Sequence, residues 1–149
     1  MNKRKAEKGT IFQVALFVVI PIVAGGLIYY LFCPSVTFVK FIDSITNINV
    51  HITCDNTENI VILILRWYLF DFLWAFSFSS AVYLFFVNKR LSYTMSLIIP
   101  VVFGVVYEML QKYGIAKGTF DIGDIWAEVI ASGLSVFSNI KYETRRKRQ

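Results

Sequence analysis

Charge is what this chain has little of. Charged residues make up 17% of its 149, where soluble domains carry about a quarter, and none falls between Ile11 and Phe32. A soluble fold of this size needs polar residues along every helix to keep one face wet, so the scarcity excludes one. Histidine is rarer still. His51 stands alone with no partner at ligand spacing, which reads as an ordinary surface residue rather than a metal ligand. No nucleophile is paired with a base in a recognisable catalytic arrangement.

What is there is apolar: 56% of the residues are hydrophobic and 17% aromatic, in runs long enough for lipid. A spanning helix needs about 20 mostly apolar residues to cross roughly 30 Å of hydrocarbon. The first span is expected over 11–32, with Pro21, Gly25 and Gly26 inside it, which membrane helices tolerate when neighbours satisfy the backbone. A second apolar stretch runs from Ile60 to Val87. Arg66 and Asp71 interrupt its first half, which puts the span over 67–87. The third covers 94–111, with Pro100 and Gly104. The fourth, 122–140, is the least apolar, holding Asp124, Glu128, Ser132, Ser135 and Ser138; it is expected to pack among the others. The fold class is therefore all-α: one domain over 1–149, a polytopic four-transmembrane-helix bundle.

The basic residues set the orientation. Eleven of the fifteen Lys and Arg lie in three clusters: Lys3, Arg4, Lys5 and Lys8; Lys89 and Arg90; Lys141 and Arg145 to Arg148. Such clusters stay cytoplasmic, which places the N- and C-termini and the turn between the second and third spans inside. The outer loop, 33–59, and the 112–120 connection hold three Lys between them and face outward. The N-terminal Asn2-Lys-Arg-Lys5 start imitates a signal peptide, but apolar residues continue past Ala24-Gly-Gly26, so a retained helix is expected. The basic tail suits anionic headgroups; no folded module accompanies it to suggest a nucleic-acid partner.

Both cysteines, Cys33 and Cys54, fall in the outer loop. The outer side of a bacterial membrane permits disulfides, and a bridge closing about twenty residues is worth roughly 3 kcal/mol on the chain-entropy model. Two separate thiols are the alternative; the bridge is preferred.

Acidic groups inside spans are costly and mark function or pair with one another. Trp67, Asp71 and Trp74 share a helix face at i, i+4, i+7. Glu108 and Gln111 close the third span at i, i+3, while Asp121 and Asp124 open the fourth, with Glu128 a turn deeper. The second span starts outside, the third ends outside and the fourth starts outside. Asp71, Trp74, Glu108, Gln111, Thr119, Asp121 and Asp124 are thus expected to converge near the outer surface. Helix capping by Asp121 and Asp124 and interfacial Trp and Tyr give a purely structural alternative. The number of acids against few cations favours a pocket.

Glu108-Met-Leu-Gln111, a short glycine-containing turn, then Asp121-Ile-Gly-Asp124 resembles the E-x-x-Q…D-x-x-D signature of VanZ-like membrane proteins. Tyr68-Leu-Phe-Asp71-Phe-Leu-Trp74-Ala75 is similar to the Asp–x–x–Trp segment of its small members. These matches cover the second half of the chain. The resemblance implies a small helical bundle in the bacterial cytoplasmic membrane, with a role in the cell envelope linked by family name to glycopeptide resistance. Thr119 stands where members often carry Arg, and Glu128 where they often carry Asn; without that Arg, the obvious group for a phosphate or carboxylate is gone.

Three roles follow as expectations. The first is a binding or accessory protein, without cofactor, whose acidic pocket takes a lipid-linked headgroup, a cationic ligand or a partner helix. The second is a membrane enzyme on a lipid-linked substrate, with Glu108, Asp121 and Asp124 holding Mg²⁺. The third is a transporter subunit, which with four spans would need an oligomer. The oligomeric state is left open.

Overall fold

The computed structural model describes residues 3–32, 37–46, 50–51, 60–86 and 88–148, and within these the side chains from residue 9 onward except 37–38 and 60–67. Cys33 and Cys54 lie outside the described residues, as do the side chains of Arg66 and Trp67. All regular structure among the described residues is helical: α1 (Lys3–Val14), a π segment (Ala15–Val19), α2 (Ile20–Phe32), α3 (Thr37–Thr46), α4 (Ile60–Phe85), α5 (Lys89–Lys112) and α6 (Ile122–Arg148).

Three helical stretches are long and apolar enough to cross a membrane, Gly9–Phe32, Tyr68–Phe85 and Lys89–Lys112. The distribution of polarity says the same. Ile11, Ile22, Leu27, Val102, Phe103 and Phe137 are each about half exposed or more, whereas Gln13, Ser77, Ser79, Ser80, Ser96, Ser135 and Asn139 are wholly buried. A protein surrounded by water reverses that pattern. The molecule is a membrane protein.

Both in-span prolines mark places where the backbone ladder is interrupted. Pro21 has no N–H to give to the residue four back, and just before it the helix widens. Ile20 N–H bonds to Ala15 O, five residues back, the spacing of a π-bulge. Ser77 on α4 then donates to the Val18 carbonyl at 2.7 Å. On α5, Pro100 frees the Ser96 carbonyl, and Ser79 donates to it at 2.8 Å. Two serines of one helix thus stand opposite the two proline interruptions.

α4 is the hub, packing against α2, the π segment, α5 and α6. Ala75, Ser77, Ser79 and Ser80 are fully buried or nearly so, and residues this small let helices approach closely in a membrane. α5 turns one edge inward: Ser92, Ser96, Pro100, Gly104 and Glu108, each four apart, are its buried residues. α6 does likewise with Glu128, Ser132, Ser135 and Asn139, which is how a helix of 27 residues, about 40 Å long, carries so many polar groups. Ser80 and Ser135 share a hydrogen bond of 2.8 Å. Asn139 donates to Ser80 at 3.1 Å and accepts from Gln13 at 2.8 Å.

The helix ends follow local chemistry. Asn88 caps α5, its Oδ1 accepting from the Arg90 and Leu91 amides. α5 ends at Lys112 and is capped by Tyr113, followed by Gly114 at φ 70°, the left-handed position that favours glycine. At that first end, Lys89 pairs with Glu143 of α6.

The 33–59 segment is more than a loop, because α3 lies within it. His51, expected as an ordinary surface residue, is half-buried. Its Nε2 lies 2.9 Å from Asp43 Oδ2 and its Nδ1 3.1 Å from the Tyr30 carbonyl, while the Tyr30 hydroxyl donates to Asp43 Oδ1 at 2.7 Å. The Tyr30 hydroxyl chiefly, and His51 after it, hold the Asp43 carboxyl below its ordinary range against the opposing effect of burial. A carboxyl lowered in the folded state stabilises above its unfolded value and loses that contribution as pH falls through the folded one. The tie between α3 and α2 is therefore expected to hold at neutral pH and loosen only below the ordinary carboxylate range. Hydrogen exchange over 39–46 measures it; equal protection in wild type and Asp43→Asn at neutral pH would refute it.

Candidate functional site

Beside the α5–α6 turn, α4, α5 and α6 enclose a cavity of about 270 Å³ lined by Phe70, Asp71, Trp74, Phe103, Gly104, Tyr107 and Glu128. Each helix contributes at helical spacing. Phe70, Asp71 and Trp74 come from one face of α4; Phe103, Gly104 and Tyr107 come from the last three turns of α5. Glu128 projects from the second turn of α6.

Glu128 decides the character of the site. It is 6% exposed, and its Oε2 has no hydrogen-bond partner among the described residues. Its carboxylate occupies the place that a side chain at position 104 would take, so Gly104 is what lets α6 present it here. Asp71, Glu108, Asp124 and Glu128 are close enough to act on one another electrostatically. Among the described residues, no Lys, Arg or His lines the cavity. The nearby Lys112 instead places its Nζ 5.2 Å from the Phe120 ring centroid. The walls are aromatic: Trp74 and Phe103 lie 5.6 Å apart between ring centroids, and Phe78 packs behind both.

The seven residues expected to converge fall into two groups. Asp71 and Trp74 line the cavity, and Asp124 adds its charge from one turn earlier on α6. The other four build a clasp over the turn. Glu108 Oε2 accepts from the Asp121 amide at 2.7 Å. Asp121 accepts from Tyr68 Oη at 3.0 Å and from the Gly123 amide at 2.8 Å. Gln111, in the orientation that satisfies both amide atoms, donates to Glu108 Oε1 and to the Thr119 carbonyl, each at 3.1 Å; the reverse orientation leaves only a 3.4 Å approach to the Lys117 carbonyl. Thr119 takes part through its backbone, and the residue is exposed.

Two glycines make the clasp tight. Gly118 has φ 135° and the Gln111 amide lies against it; Gly123 has the Tyr68 ring where a Cβ would stand. The Glu108 and Asp121 carboxylates are thus engaged with donors of the chain itself. Among the described residues no three of His, Cys, Asp and Glu are arranged to hold a metal ion.

Reading the sequence for acids left Phe70, Phe103, Gly104, Tyr107 and Glu128 out of the site. Glu128 was visible as an acid in a span, but its partner across the helix interface was not. The signal for Gly104 was its place four residues before Glu108 on the small and polar edge of α5. No family model, no curated protein and no solved structure matches this chain.

Proposed function

We propose that this is a four-span, VanZ-like protein of the bacterial cytoplasmic membrane, with both termini inside, serving the cell envelope as a binding or accessory protein. Its ligand site is the aromatic-walled acidic cavity near the outer face. The observation that carries this reading is Glu128, which lines the cavity together with Asp71 and whose buried Oε2 has no donor among the described residues. Unpaired carboxylates in a low-dielectric wall are costly. A ligand that donates to them offsets the cost, and a purely structural network would have been expected to do so internally, as Glu108 and Asp121 do.

The orientation rests on the basic clusters. In a chain with Cys33 and Cys54 replaced by serine, an impermeant maleimide on intact cells is expected to label Ala116→Cys and to spare Leu91→Cys and Thr144→Cys. Labelling of Thr144→Cys would overturn the four-span arrangement.

Native mass spectrometry of protein gently extracted from its own membrane tests the site. Wild type is expected to retain a small molecule or lipid that Asp71→Asn/Glu128→Gln releases. Spectra that are bare in both, or that carry the same species in both, would leave the cavity without a binding role.

A further inference from the structure

We infer that the ligand of this cavity is an organic ammonium group that still carries N–H, presented on an apolar chain. The inference rests on the cavity being a binding site and names what it takes.

The first argument is charge. Asp71 and Glu128 supply two carboxyl groups, with Asp124 and Glu108 close enough to act on them, and no Lys, Arg or His lines the cavity among the described residues. The complementary guest is a cation. The second argument is the walls. Phe70, Trp74, Phe103 and Tyr107 offer aromatic surface, and ring faces attract cations, tryptophan most strongly. A small inorganic cation wants a shell of oxygens, which four aromatic residues do not provide; an alkylammonium uses both ring and carboxylate.

The third argument is Glu128 Oε2, 6% of whose residue is exposed and whose own partner set within the described residues is empty. An acceptor of that kind calls for a donor, which a primary ammonium has and a fully methylated one lacks. The fourth is access. Phe103 and Tyr107 are 54% and 46% exposed, on a helix apolar enough to cross the membrane. The rim they form faces lipid, so the apolar remainder of the ligand can stay in the bilayer while its head enters between α4 and α5.

Two sources supply this chemistry, an aminolipid headgroup and a free amphiphilic amine. The full-length protein in nanodiscs of phosphatidylglycerol alone is titrated calorimetrically with butylammonium, tetramethylammonium and Mg²⁺. A parallel set of nanodiscs containing phosphatidylethanolamine is examined by native mass spectrometry for retained lipid. Butylammonium is expected to bind saturably and more tightly than tetramethylammonium. Trp74→Leu is expected to weaken it about tenfold or more, as is Phe103→Leu, a lipid-exposed change that tests the same wall if the first variant does not fold. Asp43→Asn, away from the cavity, should bind as wild type. Retained phosphatidylethanolamine would assign the lipid source, and butylammonium binding without it the free amine; both support the inference.

Tetramethylammonium binding as tight as butylammonium, a preference for Mg²⁺, or affinity unchanged in both wall variants would overturn it. An anionic lipid or neutral molecule found on wild type and lost from Asp71→Asn/Glu128→Gln would also overturn it while leaving the binding site in place. Loss of every bound species would remove both.

Discussion

Gly104→Ala is expected to destabilise the bundle and abolish ligand retention, and removing the Glu128 carboxylate is expected to rescue the stability but not the binding. The reason is steric. A methyl group on residue 104 would overlap the Glu128 carboxylate, and Glu128 is too buried to move into the open. It must either swing into the cavity, filling the space a ligand would use, or push α5 from α6. The second course is overpacking, which costs about 1–3 kcal/mol. Glu128→Ala takes away the atoms that collide. The double variant Gly104→Ala/Glu128→Ala should therefore be as stable as Glu128→Ala alone, a coupling of about 1–3 kcal/mol between the two positions. Reversible unfolding in mixed micelles measures the four corners of that cycle. Additive losses would mean that Gly104 serves α5 by itself and that the contact is incidental.

That contact also shows where reading the sequence stops. The helical fold class and the three stretches long and apolar enough to cross a membrane are visible in the spacing of charges, because hydropathy is a local property. The helix ends are less so. α4 begins at Ile60 and runs through Arg66, and α6 continues to Arg148, well past the apolar limit near Ile140. Hydropathy marks what lipid can hold, whereas a helix persists as long as its backbone bonds do. α3 was missed for the converse reason, since ten residues are too few to register as a span.

The site divides along the same line. Asp71 and Trp74 share a face by spacing alone, and Glu108, Gln111, Asp121 and the Thr119 carbonyl meet because a short turn joins their helices. Glu128 and Gly104 are 24 positions apart on different helices, and nothing local pairs them. The strict interval of four from Ser92 to Glu108 was the legible clue to the buried edge of α5; which edge of α6 would meet it was not. His51 and Asp43 are eight residues apart across a helix end, and their pairing likewise depended on where α3 would turn.

The second large effect is expected at the opposite end of the core, where Asn139→Leu should destabilise more than its own lost hydrogen bonds suggest. Asn139 is wholly buried and joins three elements: it accepts from Gln13 of α1, donates to Ser80 of α4, and donates to the Ser135 carbonyl of its own helix. Individual interhelical hydrogen bonds in membranes average only about 0.6 kcal/mol, because the unfolded chain finds other partners in the lipid. Leucine does more than delete bonds, however. It strands the Gln13 amide, which is 1% exposed, and an unsatisfied buried donor costs about 1–3 kcal/mol. Making Gln13 apolar as well removes the stranded group, so Gln13→Leu/Asn139→Leu should recover much of the loss and be more stable than Asn139→Leu alone. Unfolding in the same mixed micelles separates the outcomes. If Asn139→Leu unfolds like wild type, the polar network does not hold α1 to the bundle. A double variant less stable than either single one would mean that amide and leucine volumes, not hydrogen bonds, set the packing there. Recovery in the double variant would show that the loss lies in the stranded Gln13 amide rather than in the deleted hydrogen bonds themselves.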